Sequence, residues 1–531
     1  MDLAALTVRS LLEEAVDSGP TAPYLIWAPD GREVSYPDFN ERVDRAACMW
    51  RELGVAKGDR VAFMVDNSPE FLYAWLGLAK IGGILVAVNT GFRGEEIGYL
   101  LGDSTPCAAL VDANHLTTFL SADAAARASI RQLLTVGEVP GYDHLAAAMA
   151  AADPVAPAVD LSGYDPMSLI YTSGTTGYPK GVIQTHKNFV LTGQAYPHWM
   201  RMQQGQRIYA CLPLFHINSQ SYSTMGAMAN RGTIVLAPRF SASTFWSHVR
   251  QYRVNAFNLI GAMAVILSKK APTADDLDND AHVAYCVPAL VPEMRDDIER
   301  KFQMAVVSGF GMSETTFGLL EPFDGVRKEG SMGVPRHHPD PSVPRTEACV
   351  VDDKGSEVGP GVVGELLLRN AAMMAGYWRD EERTAATLVD GWLHTGDSAW
   401  CDEDDTFYFV DRKKDIVRRR GENVSSLEVE RIIEQHPAVL EAAVVGVPSE
   451  FTDEELLAYV VPRPGAHVTA GEVFAWCAGR LAGFKVPRFV ELVADELPKT
   501  STAKVQKSEL RKLDAAALGV RIDRELEARQ P

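Results

Sequence analysis

Two stretches of the chain alternate buried strand, helix and buried strand, and this order restricts the possible folds more than any other feature. In the first, apolar runs at residues 60–65 and 84–88 flank a predicted helix. Ser68, a capping residue, and Pro69, which suits the first helical position, indicate where that helix begins. Three apolar residues share one face of that helix: Phe71, Trp75 and Leu78. A crossover of this length joins parallel strands. Because the order recurs at residues 232–260, the predicted fold class is α/β, with large, mostly parallel sheets covered by helices.

A segment rich in glycine and hydroxyl side chains follows a third buried strand, at residues 167–170. It reads Tyr-Thr-Ser-Gly-Thr-Thr-Gly-Tyr-Pro-Lys-Gly-Val over residues 171–182 and precedes an amphipathic stretch at 183–191. Glycines let backbone N–H groups turn inward together, hydroxyls donate to oxygen anions, and a lysine adds a positive charge. The spacing is not that of the Walker loop. The segment predicts a phosphate-binding loop, and a flexible linker is the alternative.

Two further glycine turns end on an acidic residue. Ser-Gly-Phe-Gly-Met-Ser-Glu closes at Glu314, which can hold a divalent cation beside phosphates, while Phe310 offers a flat face. Gly-Trp-Leu-His-Thr-Gly-Asp closes at Asp397, whose carboxylate can accept both hydroxyls of a ribose. Taken singly, each motif has an ordinary structural explanation, a capped glycine turn or an Asx turn.

The charge and cysteine content exclude several classes of protein. A net charge of -19 argues against general nucleic-acid binding, which needs a basic face. Seven cysteines lie far apart without a C-x-x-C pair, so we expect neither zinc nor a disulfide framework, and a cytoplasmic location. The first residues lack the pattern of a signal peptide. Residues 71–88 approach membrane-spanning length but contain Lys80 and a glycine pair, so no membrane span is expected.

The composition changes near residue 411, which indicates a domain boundary. Residues 411–420 carry six basic side chains, and Ser425 precedes Glu428 at the spacing of a capping box. The next helix has an apolar stripe of three residues, Val429, Ile432 and Ile433. We predict a large N-terminal domain over residues 1–411 and a small, mobile α+β C-terminal domain over residues 412–531.

Two loops are also predicted within the first domain. Residues 271–280 are acidic, and residues 323–345 are rich in proline, glycine, histidine and charge. Both compositions are typical of surface connections.

Together these segments resemble the adenylate-forming superfamily, which contains acyl-CoA synthetases, luciferases and the adenylation domains of peptide synthetases. The resemblance spans nearly the whole chain, from residue 58 to residue 507. It is carried by residues 171–182, 310–314, 364–366, 394–397, 411–415, 421–430 and 498–507. Residues 212–217 and 421–425 resemble acyl-CoA ligases of the carnitine/crotonobetaine-CoA ligase type.

The resemblance implies a two-step reaction that uses ATP, Mg²⁺ and coenzyme A. A carboxylate attacks the α-phosphate of MgATP and gives acyl-AMP and pyrophosphate. The small domain then rotates, and the thiol of coenzyme A displaces AMP. The implied partners are a small organic acid and coenzyme A. A carrier protein as the acceptor and a homodimer as the assembly stay open.

The resemblance also assigns roles to residues. The implied ATP and AMP ligands are Thr172, Ser173, Gly174, Thr175, Thr176, Lys180, Val287, Pro288, Ala289, Phe310, Gly311, Asp397 and Arg412. Of these, Asp397 and Arg412 would hold the ribose. The implied catalytic residues are Lys504, Ser313 and Glu314, with Glu314 binding magnesium. The acyl-lining positions are His216, Asn218, Gly261 and Gly309; coenzyme A would meet Gly421 and Arg420; Lys414 would be the hinge.

Several of these assignments have alternatives. Lys504 would bridge carboxylate and α-phosphate, where its charge offsets the charge developing on the reacting oxygens. His216 is interpreted as an aromatic gate, with a packed core histidine as the alternative. The arginines 418–420 fit a solvated face as well as they fit a coenzyme A site. A quaternary ammonium would need acids or an aromatic cage. Asn218 is neutral and no cage is evident, so we expect a non-cationic acid.

Two departures from the family pattern question the first step. Residues 286–290 read Cys-Val-Pro-Ala-Leu where the family has Gly-Gly-Ala-Pro-Leu against the adenine, and Ala503 replaces a glycine before Lys504. If that turn needs a positive φ, alanine costs about 1–2 kcal/mol there. The favoured hypothesis is a complete acyl-CoA ligase. The alternatives are an enzyme that makes thioesters from preformed acyl-adenylate, and a non-catalytic adenylate- or CoA-binding protein.

Overall fold

The computed structural model of the chain contains two compact units. It describes residues 1–172, 179–269, 274–287, 289–290, 292–324, 326–412, 415–419, 422–448, 454–481, 483–494, 496–499, 505–513 and 519–523. The first unit takes the described residues of 1–348 and 368–393, and the second takes those of 349–367 and 394 onward. The predicted boundary after residue 411 adjoins residues 413–414, which lie outside the described residues, so it stays a prediction.

One sheet of eight described strands belongs to the first unit. Its strands follow one another across the sheet as Gly376–Tyr377, Lys180–Thr185, Pro166–Thr172, Ile84–Ala87, Arg60–Met64, Ala108–Asp112, Gln132–Val136 and Asp143–His144. Lys180–Thr185 is antiparallel to both of its neighbours, and the remaining pairs are parallel. Arg60 lies opposite Ile84. The parallel crossover predicted between residues 60 and 88 is therefore confirmed.

The crossover helix, Pro69–Lys80, is more deeply buried than its one apolar face predicts. The Ser68 hydroxyl caps it by accepting from the N–H of Phe71 at 3.2 Å. At Gly77 a Cβ would lie 2.8 Å from the carbonyl of Val43, so a second helix passes in backbone contact. All its residues except Glu70 are buried, including its last residue, a lysine.

Lys80 is nevertheless neutralised inside the fold. Its Nζ lies 2.6 Å from Asp44 Oδ1 and donates to Asn40 Oδ1 at 2.7 Å. A buried charge needs a partner of this kind.

Among the described residues no helix is both long and apolar enough to cross a membrane.

Nine strands of the first unit form a second sheet. They run in the order Ser331–Pro335, Thr315–Leu320, Ala305–Met312, Val283–Val287, Ala256–Ile260, Arg207–Ala210, Thr233–Leu236, Leu25–Trp27 and Arg32–Val34. The strands predicted within residues 232–260 are parallel, as expected, but they are not neighbours, because Arg207–Ala210 lies between them and pairs with both.

The prediction that residues 323–345 form a surface connection is wrong for residues 331–336, while many of the other described residues of this range are exposed. Ser331–Pro335 pairs with Thr315–Leu320, and the following Arg336 is buried. Gly333 has a φ of 88°, and a Cβ there would lie 2.0 Å from the carbonyl carbon of Leu320. Gly333, whose residue type suggested a loop, instead permits two strands to approach closely. Arg336, whose charge suggested exposure to solvent, is buried.

The remaining helical segments of the first unit cover these sheets. They are Leu3–Ala5, Val8–Asp17, Tyr36–Glu52, Gly94–Ser104, Ala113–His115, Leu116–Leu120, Leu145–Ala151, His186–Trp199, Asn218–Met225, Gly226–Ala229, Phe245–Gln251, Gly261–Ser268, Ala274–Leu277, Pro292–Phe302 and Glu381–Thr387. The strand Leu388–Val389 also belongs to the first unit, whereas Glu347–Val351 and Gly364–Arg369 each have residues in both units.

The second unit mixes antiparallel hairpins with one small sheet, as the predicted α+β class requires. Trp392–Cys401 pairs with Phe407–Arg412, and Ile416–Arg419 pairs with Glu422–Ser425. The small sheet runs Val439–Pro448, Glu454–Pro462, Phe489–Val493 and Gly519–Asp523. Its helical segments are Ser426–Glu434, Ala470–Ala478, Gly483–Lys485 and Lys507–Leu510.

The helix predicted after residue 425 is confirmed. The Ser425 hydroxyl accepts from the N–H of Glu428 at 3.3 Å, and the helix buries Val429 and Ile433. The capping serine and the apolar spacing therefore act as the sequence predicts.

Arg419 lies in the core of the second unit, so neither predicted role for it is correct. Its side chain is 1% exposed, and its Nε lies 2.5 Å from Oε2 of the fully buried Glu455. Its Nη1 donates to the carbonyl of Val486 at 2.8 Å. The run of basic residues predicted the wrong location for Arg419, because a charge pattern does not show which arginine pairs with a buried carboxylate.

We predict that Arg419→Met destabilises the strand Glu454–Pro462 by about 3–5 kcal/mol, because Glu455 then stays buried without its partner. Hydrogen exchange of the amides of that strand measures the loss. Adding Glu455→Gln restores part of it, and Arg463→Met, at an exposed position beyond the strand, changes protection little. Equal effects of Arg419→Met and Arg463→Met would contradict the assignment.

Candidate active site

The glycine- and hydroxyl-rich segment joins two antiparallel strands of the eight-stranded sheet. Residues 173–178 lie outside the described residues and include four predicted phosphate ligands, Ser173, Gly174, Thr175 and Thr176. On either side of the segment, Thr172 lies opposite Lys180. The Thr172 hydroxyl is buried and has no hydrogen-bond partner in the described part of the chain. A buried hydroxyl in that state costs free energy until it finds a partner, so its position suits a ligand.

The amphipathic stretch predicted at residues 183–191 is divided between two elements. The strand continues to Thr185, and the helix begins at His186. The strand end pairs on its other side with Gly376–Tyr377, with Tyr377 opposite Val182. Hydrogen bonds to two neighbouring strands override a helical periodicity that is only local. The same pairing brings Tyr377 beside Lys180.

Lys180, Glu314 and Tyr377 form a buried polar cluster. Lys180 Nζ lies 2.9 Å from Glu314 Oε1 and donates to the Tyr377 hydroxyl at 2.5 Å. That hydroxyl in turn donates to Glu314 Oε1 at 2.8 Å. Glu314 is 3% exposed, so its charge depends on these two contacts. The structure thus joins the predicted phosphate-binding lysine to the predicted metal-binding carboxylate.

Tyr377 is a residue that the sequence analysis missed. Burial, and then the charge of Glu314, raise the pKa of its phenol, which therefore stays protonated and can donate. The signal available in the sequence was the Gly-Tyr-Trp run at residues 376–378, an aromatic pair after a glycine. Nothing in that run names its partners, because Lys180 and Glu314 are distant along the chain.

Side-chain amides hold the backbone around Glu314. Gln184 Nε2 donates to the carbonyl of Ser313 at 2.5 Å, and Asn188 Nδ2 donates to Gln184 Oε1 at 2.7 Å. The N–H of Met374 donates to the carbonyl of Glu314 at 2.8 Å. Ser313, a predicted catalytic residue, therefore lies beside Glu314 in a braced turn.

Three predicted site residues lie on the strand Ala305–Met312. At Gly309 a Cβ would lie 2.4 Å from the carbonyl oxygen of Leu319, so the glycine allows the next strand to approach. Phe310 and Gly311 are half-buried. Their strand continues the parallel series formed by Ala256–Ile260 and Val283–Val287.

The strand ends of this series carry further predicted residues. Gly261 begins a helix directly after Ile260, and Val287 lies opposite Ile260 at the end of its strand. Ala289 is exposed, and Pro288 lies outside the described residues. The carboxyl ends of parallel strands are where open α/β sheets bind ligands.

The structure changes how one departure from the family pattern is interpreted. Cys286 lies opposite Ser308 in the sheet, and its side chain is fully buried in the apolar core. Burial raises the pKa of its thiol to about 12. The Cys286 side chain therefore packs in the core. Val287, which is half-buried at the strand end, is the substitution that affects the predicted adenine contact.

His216 and Asn218 stand at the start of a π-helix, Asn218–Met225. The His216 ring is half-buried, lies 4.7 Å from the Phe215 ring, and has its pKa lowered to about 4 by burial. The His216 ring is therefore neutral near pH 7. A neutral ring is expected both for an aromatic gate and for a packed core histidine. Asn218 Oδ1 is buried and has no hydrogen-bond partner in the described part of the chain.

An aromatic cluster that the sequence did not reveal encloses a guanidinium. Arg336 Cζ lies 5.0 Å from the ring centroid of Trp199, 5.4 Å from that of Tyr285 and 5.6 Å from that of Tyr222. Arg336 Nη2 donates to the carbonyl of Phe310 at 2.6 Å. The expectation of no aromatic cage is therefore wrong, but the cation in the cage belongs to the protein.

The second unit contains the predicted ribose pair. Asp397 and Arg412 lie directly opposite each other on the antiparallel strands Trp392–Cys401 and Phe407–Arg412. Asp397 is 9% exposed, and its N–H donates to the hydroxyl of Thr395 at 3.1 Å. The other predicted residues of this part of the chain lie outside the described residues: Lys414, Arg420, Gly421 and Lys504.

A lysine–glutamate pair beside a glycine-rich segment, on large, mostly parallel sheets with a smaller α+β unit, is the arrangement expected of an adenylate-forming enzyme. The sequence matches the family described as AMP-binding enzyme over residues 12–378, and that family's C-terminal domain over residues 428–504. The chain belongs to the AMP-binding enzyme family, and within it to the AMP-forming acyl-CoA ligases.

Known relatives cover almost the full chain. A crotonobetaine/carnitine–CoA ligase of Salmonella enteritidis PT4 is 32% identical over 90% of this chain and 93% of its own. ATP-bound MatB from Rhodopseudomonas palustris is 27% identical, with a TM-score of 0.85 over 96% of this chain and 99% of its own. An O-succinylbenzoate coenzyme A synthetase from Bacillus subtilis, in complex with AMP, is 26% identical, with a TM-score of 0.82 over 96% and 98%. These nucleotide complexes support ATP use.

We predict that Tyr377→Phe lowers the adenylation rate about tenfold or more, because a hydrogen bond to a charged group contributes roughly 1.5–3 kcal/mol. Pyrophosphate release measures the rate, and thermal unfolding checks that the fold persists. Tyr142→Phe, at a position 37% exposed, is the matched control. Equal rates for the two variants would remove Tyr377 from the site.

We also predict that His216→Phe leaves thioester formation near neutral pH within about threefold of wild type, because the ring does not titrate there. The folded-state pKa near 4 lies below the ordinary 6.5, so the unfolded chain binds more protons between these values. Stability is therefore lost as the pH falls through that window, and His216→Phe should reduce this loss in unfolding experiments. The exposed His467→Phe is the control. A large activity loss near neutral pH with His216→Phe would contradict a neutral role.

Proposed function

We propose that this acyl-CoA ligase joins a non-cationic organic carboxylic acid to coenzyme A through an acyl-adenylate, with MgATP as the nucleotide. The observation that carries the proposal is the buried cluster of Lys180, Glu314 and Tyr377 beside the glycine- and hydroxyl-rich segment. The cluster contains one positive and one negative side chain. The ammonium of Lys180 can bind phosphate oxygens, and the carboxylate of Glu314 can bind the metal ion that accompanies them.

In the first step Lys180 would exchange part of its contact with Glu314 for phosphate oxygens of ATP. Its side chain is 23% exposed, so a ligand can reach it, and Tyr377 orients its ammonium. The unpartnered Thr172 hydroxyl can donate to the same phosphates. Lys180 and Tyr377 both contact Oε1 of Glu314, which leaves Oε2 to meet a cation.

Glu314 fits Mg²⁺, which commonly binds one or two carboxylates together with substrate phosphates and water. When bound, Mg²⁺ would neutralise phosphate charge during attack by the carboxylate of the substrate. Asp397 and Arg412 are proposed to hold the ribose, since their strands place them opposite each other.

The roles of four residues outside the described part of the chain are assigned by resemblance. Lys504 is proposed to serve adenylation, the first step. Lys414 is proposed to be the hinge about which the small domain turns before the second step. Gly421 and Arg420 are proposed to meet coenzyme A, or the equivalent arm of a carrier protein. None of the seven cysteines forms a disulfide in the described part of the chain, which fits a reducing compartment, for which we propose the cytoplasm.

The acyl chain is proposed to differ from that of the carnitine-type relatives. A quaternary ammonium would be repelled by the guanidinium of Arg336, which occupies the aromatic cluster. The burial of Cys286 removes one reason for weak adenylation, which favours a complete ligase over an enzyme supplied with acyl-adenylate.

Two half-reactions test this function, and we predict that Lys504→Ala separates them. Adenylation is followed by pyrophosphate release with ATP and a panel of acids, and thioester formation is followed from synthetic acyl-AMP. Lys504→Ala should slow adenylation about a hundredfold or more, as loss of one transition-state contact does, and leave the second step nearly intact. Lys512→Ala, at an exposed surface pair, is the control.

The outcomes discriminate between the hypotheses. Wild-type adenylation and thioester formation together support the complete ligase. Thioester formation from acyl-AMP without adenylation would support the enzyme that uses preformed acyl-adenylate. Failure of both half-reactions with every acid would leave the non-catalytic binding protein.

A further inference from the structure

Arg336 is a buried cation without a carboxylate partner among the described residues. It follows the strand Ser331–Pro335, is 4% exposed, and forms no ion pair with any described acidic residue. Its Nη2 donates to two neutral acceptors, the carbonyl of Phe310 at 2.6 Å and the hydroxyl of Tyr285 at 3.1 Å. Its Nε is buried and has no hydrogen-bond partner in the described part of the chain.

This arrangement is unusual because buried charges in proteins are normally paired. Lys80, the other buried cation in the described part of the first unit, follows that rule, since its Nζ lies 2.6 Å from Asp44 Oδ1. The aromatic faces around Arg336 stabilise a cation but do not neutralise it. Burial raises the pKa of the Tyr222 phenol, which therefore stays neutral and supplies no negative charge either.

Arg336 lies among the elements that carry the predicted acyl-lining positions. A Cβ at Gly311 would be 3.1 Å from Arg336 Nη2 and 3.4 Å from the Tyr222 hydroxyl. A Cβ at Gly309 would be 3.3 Å from Cε2 of Tyr285. The guanidinium is therefore next to the strand on which the sequence analysis placed the acyl group.

The π-helix supplies a second unpartnered polar group from the same predicted lining. Tyr222, whose ring faces Arg336, lies one turn along this helix from Asn218. Asn218 Oδ1 is buried without a hydrogen-bond partner among the described residues. Arg336 Nε, a donor, and Asn218 Oδ1, an acceptor from the predicted lining, thus both lack partners in the described part of the chain, as expected of a site that binds a polar substrate.

We propose that Arg336 determines substrate specificity by binding a second carboxylate, at the end of the acid remote from the carboxylate that is activated. The inference rests on the proposed function and narrows its substrate class to dicarboxylic acids. Arginine suits this role because its planar guanidinium matches a carboxylate and stays charged when buried. A second carboxylate would supply the negative charge that the described residues around Arg336 lack.

The test compares dicarboxylic acids with monocarboxylic acids of equal chain length, such as glutarate with valerate and adipate with hexanoate. Wild type should form thioesters from at least one diacid with a kcat/KM about a hundredfold or more above that of its monoacid, as a buried charge pair predicts. Arg336→Met, which keeps the bulk, should abolish this preference by reducing the diacid rate and sparing the monoacid rate. Arg345→Met, an exposed arginine of the same segment, should change neither.

Binding provides a readout that does not depend on turnover. Calorimetry of the full chain with a non-hydrolysable ATP analogue should show tighter binding of the diacid to wild type than to Arg336→Met, with equal nucleotide affinity. Equal binding of diacid and monoacid to wild type overturns the inference, whether or not thioester forms. Equal losses for both acids in Arg336→Met also overturn it, since they would assign Arg336 to the reacting carboxylate or to the fold.

If Arg336→Met does not fold, Arg336→Lys tests the same point, because lysine keeps the charge but loses the planar fork. It should retain part of the diacid preference. Thioester formation from monoacids alone would overturn the dicarboxylate inference and leave the proposed function intact. Absence of thioester from every acid would overturn the proposed function, and the binding data would then decide the inference by themselves.

Discussion

The buried carboxylate of Glu314 is the group on which the arrangement of the first unit's site depends. At 3% exposure it cannot keep its charge without partners, and it finds them in Lys180 and Tyr377. These three residues are remote along the chain: Lys180 and Tyr377 lie on two neighbouring strands, and Glu314 lies in the turn between Ala305–Met312 and Thr315–Leu320. Their meeting requires Lys180–Thr185 to pair with strands on both sides. Charge neutralisation and sheet pairing therefore support one another here.

Arg336 shows the opposite situation in the same unit. Its guanidinium is as enclosed as the Glu314 carboxylate, but its described neighbours are aromatic rings and neutral oxygens. One buried charge is satisfied within the protein, and the other is left for a ligand to satisfy. On the proposed function, Glu314 belongs to the nucleotide site and Arg336 selects the substrate.

Similarity to carnitine-type ligases and a different acyl specificity are compatible. The 32% identity extends over 90% of the chain, and the segments that carry the resemblance surround nucleotide chemistry shared by the whole family. Specificity depends on a few side chains that line the acyl group, and these vary without altering the fold. The cation inside the aromatic cluster is one such side chain in this protein, and it disfavours a cationic substrate.

The sequence by itself determined the α/β class, the parallel crossover at residues 60–88, the capped helix after Ser425 and the family, because periodicity, capping and short motifs are local signals. It also placed the phosphate segment directly after a buried strand, where the strand Pro166–Thr172 ends. Only the tertiary structure decided which charges are buried and with whom. Arg419 and Arg336 both looked like surface residues, yet one is paired with Glu455 and the other is enclosed by aromatic rings. Partners distant along the chain leave no local pattern, so burial of a charge is a property that folding alone reveals.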